Sequence, residues 1–107
     1  MKDNSFTEYI VYDILGHIES LTSRRMFGGA GIYVHGKIVA IIVSGELYFK
    51  ADEELVAKYT VLGCHPFTYE KNGKTVSMKY MSATEEMLED RAVMEERVYE
   101  SLALSEK

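Results

Sequence analysis

Residues 32–50, Ile-Tyr-Val-His-Gly-Lys-Ile-Val-Ala-Ile-Ile-Val-Ser-Gly-Glu-Leu-Tyr-Phe-Lys, hold three runs of strand-forming residues cut by two dipeptides, His35-Gly36 and Ser44-Gly45. Two-residue connections with glycine second suit the turn whose backbone twist matches that of paired strands. The stretch therefore reads as three antiparallel strands, Ile32 to Val34, Lys37 to Val43 and Glu46 to Lys50. The middle strand is apolar at every position from Ile38 to Val43. An antiparallel strand with one wet face alternates apolar and polar residues. Its second face needs a cover: the chain's own termini, a second copy or a partner. Ile38 and Ile42 on that strand, together with Arg24 and Arg25, form the candidate partner-binding surface.

Beyond this meander, Asn72-Gly73 is the strongest turn signal in the chain. A two-residue loop there sets Lys71 opposite Lys74, Tyr69 opposite Val76 and Phe67 opposite Met78. Apolar residues then share one face, and Thr68, Glu70, Thr75 and Ser77 share the other. Between the two strand regions, Asp52 is placed to cap a helix that buries Leu55, Val56, Tyr59 and Leu62. Gly63 suits its C′ position, and Pro66 bars continuation.

At the N-terminal side, Phe6, Ile10, Ile14, Ile18 and Leu21 fall on one helical stripe, widened by Val11 and Leu15. Ser5 and Glu8 have capping-box spacing, so the pattern predicts a helix from near Phe6 to near Leu21. Met94, Val98 and Leu102 mark the apolar side of a last helical segment beginning near Thr84. Ser82 and Asp90 are alternative caps for it. It reads either as one helix or as a short turn followed by a helix from Arg91 to Leu104. The order αβββαββα predicts an α+β fold of two layers, a five-stranded antiparallel sheet packed with helices. At 107 residues the chain is expected to form a single domain, 1–107.

Apolar residues make up 47% of the chain and proline occurs once, a globular composition. No run of 18 apolar residues is present, so no membrane span is predicted. The N-terminus lacks an apolar signal segment, and a lone cysteine cannot form an internal disulfide. Both fit a cytoplasmic protein. The net charge of −5 lowers the expectation of nonspecific DNA binding, which depends on neutralising phosphates. A local basic patch keeps a nucleic-acid interface open as the alternative, with Arg24, Arg25, Lys71, Lys74 and Lys79 as its contacts. The late acidic residues, Glu85 to Glu100, read as a solvated helix face.

Arg24-Arg25-Met26-Phe27-Gly28-Gly29-Ala30-Gly31 resembles a phosphate cradle only in its glycines. It lacks the Lys-Ser or Lys-Thr of a P-loop, and it opens a strand, not a helix. The glycines of the motif Met26, Phe27, Gly28, Gly29 and Gly31 are better read as structural. They permit positive φ, a bulge or close backbone approach where the chain leaves the first helix for the sheet. Arg24 and Arg25 would then sit at a helix–sheet junction, one facing a carboxylate and the other facing outward. Valine at Gly28 or Gly29 is expected to cost more than alanine at Arg24, because a β-branched residue does not take positive φ cheaply.

Three motifs in order, Arg24 to Tyr33, Gly45 to Asp52 (Gly-Glu-Leu-Tyr-Phe-Lys-Ala-Asp) and Gly63 to Tyr69 (Gly-Cys-His-Pro-Phe-Thr-Tyr), resemble the N-terminal domain of the TfoX/Sxy competence regulators. The strand from Val76 to Tyr80 and the acidic last helix fit as well. The resemblance implies a small α+β domain that helps switch on DNA-uptake genes together with the cyclic AMP receptor protein. It also implies contact with the transcription machinery and no enzymatic activity. Full-length regulators of this family carry a second, C-terminal domain, which a chain ending at Lys107 is expected to lack.

Other chemistry is thin. Cys64 and His65 are adjacent, but no second cysteine supplies a zinc pair, so no metal and no cofactor are expected. Cys64 reads as a small buried hydrophobe. No nucleophile–base arrangement is suggested by His17, His35 or His65.

Overall fold

The computed structural model describes residues 5–26 and 29–105. Helix α1, Ser5–Glu8, runs directly into a π-helical stretch, Tyr9–Ile14. Strands β1 (Leu21–Met26), β2 (Gly29–Val34), β3 (Lys37–Val43) and β4 (Glu46–Lys50) follow. Then come α2 (Glu53–Val61), β5 (Pro66–Lys71), β6 (Lys74–Ser82), α3 (Glu85–Leu88) and α4 (Arg91–Ser105). The class is α+β with an antiparallel sheet, as the sequence implies. The sheet has six strands, in the order β1-β2-β3-β4-β6-β5, where five were expected.

The extra strand is β1. Leu21 belongs to it, and the first helix ends seven residues earlier than its apolar stripe suggests, at Ile14. Leu15 N–H donates to the Ile10 carbonyl at 2.8 Å, the wide i→i−5 bond of a π-turn. A Cβ at Gly16 would lie 2.3 Å from the Tyr12 carbonyl oxygen, so only glycine permits this tight exit. Ile10, Ile14, Leu15 and Ile18 are all buried, so the stripe marks core even where the helix has ended. β1 escaped detection because Thr22, Ser23, Arg24 and Arg25 are all exposed, leaving no apolar alternation. Polar and charged residues on both faces are what an edge strand tolerates. Arg24 and Arg25 therefore lie within a strand, not at a helix–sheet junction. The expected Ser5 cap falls on a side chain outside the described residues.

The turns are as expected. His35, Ser44 and Asn72 have φ of 53°, 53° and 54°, and the glycines that follow them also have positive φ. Two successive left-handed residues make the turn that suits a two-residue hairpin. The β5–β6 register pairs Lys71 with Lys74, Tyr69 with Val76 and Phe67 with Met78. In β3 the pairing with β2 slips by one residue: Ile32 faces Ala40 but Tyr33 faces Ile38, leaving Val39 as the bulged residue. The slip puts Ile38 on the face of Tyr33 while Val39 stays in the core.

Asp52 caps α2 by accepting from the Leu55 N–H at 3.0 Å, and Gly63 follows the helix with φ 96°. Tyr59 is buried and Leu55 and Val56 are half-buried, but Leu62 is 52% exposed, against expectation. The C-terminal segment is a short helix followed by a longer one. Thr84, not Ser82, caps α3 through the Met87 N–H, and Asp90 accepts from the amides of Ala92 and Val93 at the start of α4. Met94, Val98 and Leu102 of α4 pack with Ala40, Ile42, Leu47 and Phe49 of the sheet. Burying each such side chain contributes about 1.5–3 kcal/mol.

Candidate protein-interaction face

Strand pairing and two-residue alternation divide the sheet into two sides. Ala30, Ile32, Ala40, Ile42, Leu47 and Phe49 point to the helices and form the main core. The other side carries Tyr33, Ile38, Ile41 and Val43, then Tyr48, and then Phe67, Tyr69, Met78 and Tyr80. None of the described helices packs on it: α4 lies on β3 and β4, and α2 on β6, from the core side. Ile38, Ile41 and Val43 face Phe67, Tyr69, Met78 and Tyr80 across a cavity of about 490 Å³, bordered also by Ala30 and Ile42. That volume is within the range of ligand and side-chain pockets.

Tyr69 and Met78 are each 39% exposed on this face, unusual for large apolar side chains. Tyr80 has its phenol pKa raised by burial, with a smaller push from Tyr33. Tyr48 donates to Glu46 through a short hydrogen bond and meets the edges of His65 and Phe67, with ring centroids at 5.8 and 5.2 Å.

The sequence-derived candidates scatter over this frame. Ile38 lies half-buried on the uncovered face, whereas Ile42 is 3% exposed and packs into the core. Ile41 and Val43 are the residues that share the open side with Ile38, because the Val39 bulge shifts the alternation. Arg24 pairs opposite Gly31 on the same side, its guanidinium 5.9 Å from the Tyr33 ring centroid. Arg25 points to the opposite side. Met26 closes β1, Gly29 and Gly31 lie in β2, and Phe27 and Gly28 lie outside the described residues. Lys71 and Lys74 sit at the β5–β6 turn on the open side, while Lys79 faces the helices and reaches Glu53 at 3.7 Å. β1 and β6 are four strand spacings apart, roughly 19 Å, so the arginines and lysines do not form one patch.

Within the glycine motif, Gly29 acts by close approach, not by positive φ. The described glycines with left-handed φ are Gly36, Gly45, Gly63 and Gly73. A Cβ on Gly29 would stand 1.8 Å from the Ile42 carbonyl oxygen.

Sequence reasoning missed a second centre. Arg97 on α4 is 2% exposed, although a guanidinium keeps its charge in proteins. It donates to the carbonyl oxygens of Ser82 at 2.7 Å and Met81 at 3.1 Å, and lies 3.9 and 4.6 Å from the ring centroids of Tyr59 and Phe49. Burial lowers its pKa, partly offset by Cys64, Tyr59 and Glu100. Its Nε–H has no acceptor among the described residues. Tyr59 donates its phenol to Glu100, which also pairs with Lys58 at 2.7 Å. This network joins α2, α4 and the end of β6. In the sequence it is one arginine in an acidic run, Glu95-Glu96-Arg97, whose only signal for burial is its place three residues after Met94 on the apolar stripe.

Ser82, His65 and Glu46 also come together. The Ser82 hydroxyl oxygen accepts from the His65 N–H at 2.9 Å and lies 3.3 Å from His65 Nδ1, while His65 Nε2 is 3.6 Å from Glu46. The string resembles a hydrolase triad, but Ser82 is 4% exposed and its oxygen is already engaged. It latches the start of β5 to β6. Cys64 is buried beside Met87 and Arg97. No group of three His, Cys, Asp or Glu side chains among the described residues is placed to hold a metal, and no described helix is long and apolar enough to cross a membrane.

Burial and then Glu46 push the Tyr48 phenol up to about 12, and burial and then Glu100 do the same to Tyr59. A phenol whose folded pKa is raised stabilises the fold fully below its unfolded value, about 10. That contribution is lost as pH rises from 10 towards 12. Ultraviolet titration of the eight tyrosines should therefore show a late group that ionises with unfolding. Tyr48→Phe and Tyr59→Phe should each remove one member from it. Ionisation of all eight in one step near pH 10, with the fold intact, would contradict this.

Comparison with known proteins matches residues 13–105 to the TfoX N-terminal domain. DNA transformation protein TfoX1 of Aliivibrio fischeri is 26% identical over 81 residues, which cover 76% of this chain and 39% of that protein. The chain thus spans about two fifths of the length of the curated relative it matches. With nearly its whole length matched, this chain belongs to the TfoX N-terminal domain family.

Proposed function

We propose that this domain is a non-enzymatic regulatory module of natural competence, acting in the cytoplasm by protein contact with the transcription machinery. Its partner in this reading is the cyclic AMP receptor protein. One observation carries the proposal: an apolar sheet side, with a cavity of about 490 Å³ between β3 and the β5–β6 hairpin, that none of the described helices covers. Apolar surface of this kind on a small acidic domain favours a protein partner over a polyanion. The name of the relative TfoX1 associates that protein with DNA transformation. We extend the association to this domain.

The test is capture of the cyclic AMP receptor protein by the immobilised chain, with and without promoter DNA of a DNA-uptake gene. Retention is expected, with loss on Ile41→Glu, a half-buried position whose substitution leaves the core side intact. If neither condition retains the receptor protein, the reading fails.

Direct nucleic-acid binding is the second reading, favoured by Arg24, Lys71 and Lys74 sharing the open side with Tyr33 and Tyr69. Its signature is affinity for single-stranded DNA that falls steeply between low and physiological salt. Arg25 and Lys79 play no part in it, since both face the other side.

A further inference from the structure

The charges of this molecule are sorted by side. On the strands of the open face the described cations are Arg24, Lys50, Lys71 and Lys74, against the single carboxylate Glu46. Glu46 is itself engaged by the Tyr48 hydroxyl and by His65. The helical side carries the acid: Glu53, Glu54, Glu85, Glu86, Glu89, Glu95 and more. A chain of net charge −5 thus presents an apolar face with a basic rim.

The cations flank the cavity. Arg24 stands two strand spacings from Ile41 through Gly31, roughly 10 Å, and Lys71 lies two residues beyond Tyr69, roughly 7 Å. Among the described residues, none of Arg24, Lys71 and Lys74 makes an ion pair. An α-helix about 10–12 Å across fits between two such rows of charge.

From this complementarity we infer that the open face receives an acidic amphipathic helix of a partner protein. Its apolar side chains enter the cavity lined by Ile38, Ile41, Val43 and Met78, and its flanking carboxylates meet Arg24 on one side and Lys71 and Lys74 on the other. The inference rests on the protein-contact reading above and specifies the partner's chemistry. Helix-in-groove recognition needs this combination of anchors at i, i+4 and i+7 with a polar border. Single-stranded nucleic acid fits less well, because base stacking needs free ring faces. Here Phe67 stacks on Tyr69, with centroids 6.2 Å apart, and makes an edge-on contact with Tyr48. Of the remaining lining residues, Tyr80 is a half-buried aromatic and the others are aliphatic or methionine.

The experiment titrates the isotope-labelled full chain, by amide-resonance shifts, with a synthetic helix-forming peptide of about 18 residues, five turns. The peptide carries leucine and phenylalanine anchors with glutamate flanks. A twin peptide has lysine at the flanks, and oligo-deoxythymidine serves as the third ligand. The acidic peptide is expected to shift Ile38, Ile41, Val43, Tyr69, Met78 and Tyr80, and to bind at least about tenfold tighter than its lysine twin. The double variant Lys71→Glu/Lys74→Glu should reverse that preference, and Ile41→Glu should abolish the shifts. Equal affinity for both peptides, binding of neither, or tighter binding of oligo-deoxythymidine overturns the inference. Receptor-protein capture that survives both sets of substitutions overturns it while leaving the regulatory reading intact. Acidic-peptide binding by a chain that ignores the receptor protein does the reverse.

Discussion

Arg97→Ala is expected to lower stability by about 3–5 kcal/mol, a large part of what a domain of this size has. The truncation leaves a cavity between Phe49 and Tyr59, whose rings hold the guanidinium at 4.6 and 3.9 Å. It also strips the carbonyls of Ser82 and Met81 of their donors where β6 passes under α4. Desolvated cation–π contact alone contributes about 2 kcal/mol. Arg97→Met separates the terms. Methionine fills the space and removes the cost of burying a charge whose Nε–H lacks an acceptor among the described residues. Its loss should be about 1–2 kcal/mol, mostly from the two carbonyls. Urea unfolding of both variants is the measurement. An alanine variant within 1 kcal/mol of the parent would show that Arg97 is not the clasp described here.

Gly29→Val is the second severe substitution, with an expected loss of about 3 kcal/mol or more. The added Cβ would meet the Ile42 carbonyl oxygen at 1.8 Å and its carbon at 3.0 Å, and both are backbone atoms of a central strand. Neither can move without breaking the β2–β3 pairing of Ala30 with Ile42. The obstacle is steric and begins at the first side-chain carbon, so Gly29→Ala should fail almost as badly. A requirement for positive φ would also penalise alanine, but Gly29 is not among the left-handed glycines. Arg24→Ala should cost about 1 kcal/mol at most, since its exposed guanidinium makes only a long contact with Tyr33. Thermal unfolding of the three variants ranks them. A Gly29→Ala midpoint equal to that of the parent would remove the close-approach argument.

Much of the fold could be read from neighbours in the chain. The three glycine-ended turns, the Asp52 cap and the Lys71–Lys74 register all depend on residues within a few positions of each other, and all appear as expected. The apolar stripe from Phe6 to Leu21 identified core correctly. Its period could not reveal that the helix widens at Tyr9 and stops at Ile14, because Ile18 is buried and Leu21 half-buried by other means. The edge strand β1 left no pattern, since both of its faces meet solvent. For the candidate interface, the doubly apolar run from Ile38 to Val43 points to the uncovered side of the sheet, but Ile42 within that run packs into the core. A one-residue bulge at Val39 decides which side chains face out, and that bulge exists only in the pairing with β2.

By itself, the sequence determined the class of fold, the positions of the tight turns and membership of a family through motifs between Arg24 and Tyr69. Each of these is local, written in backbone preferences and short spacings. Only the tertiary structure decided which apolar face stays open, that the basic residues flank it from opposite edges, and that Arg97 is buried between two aromatic rings. Those outcomes depend on residues dozens of positions apart meeting across the sheet, where register, bulges and competing burial settle what chain order leaves undetermined.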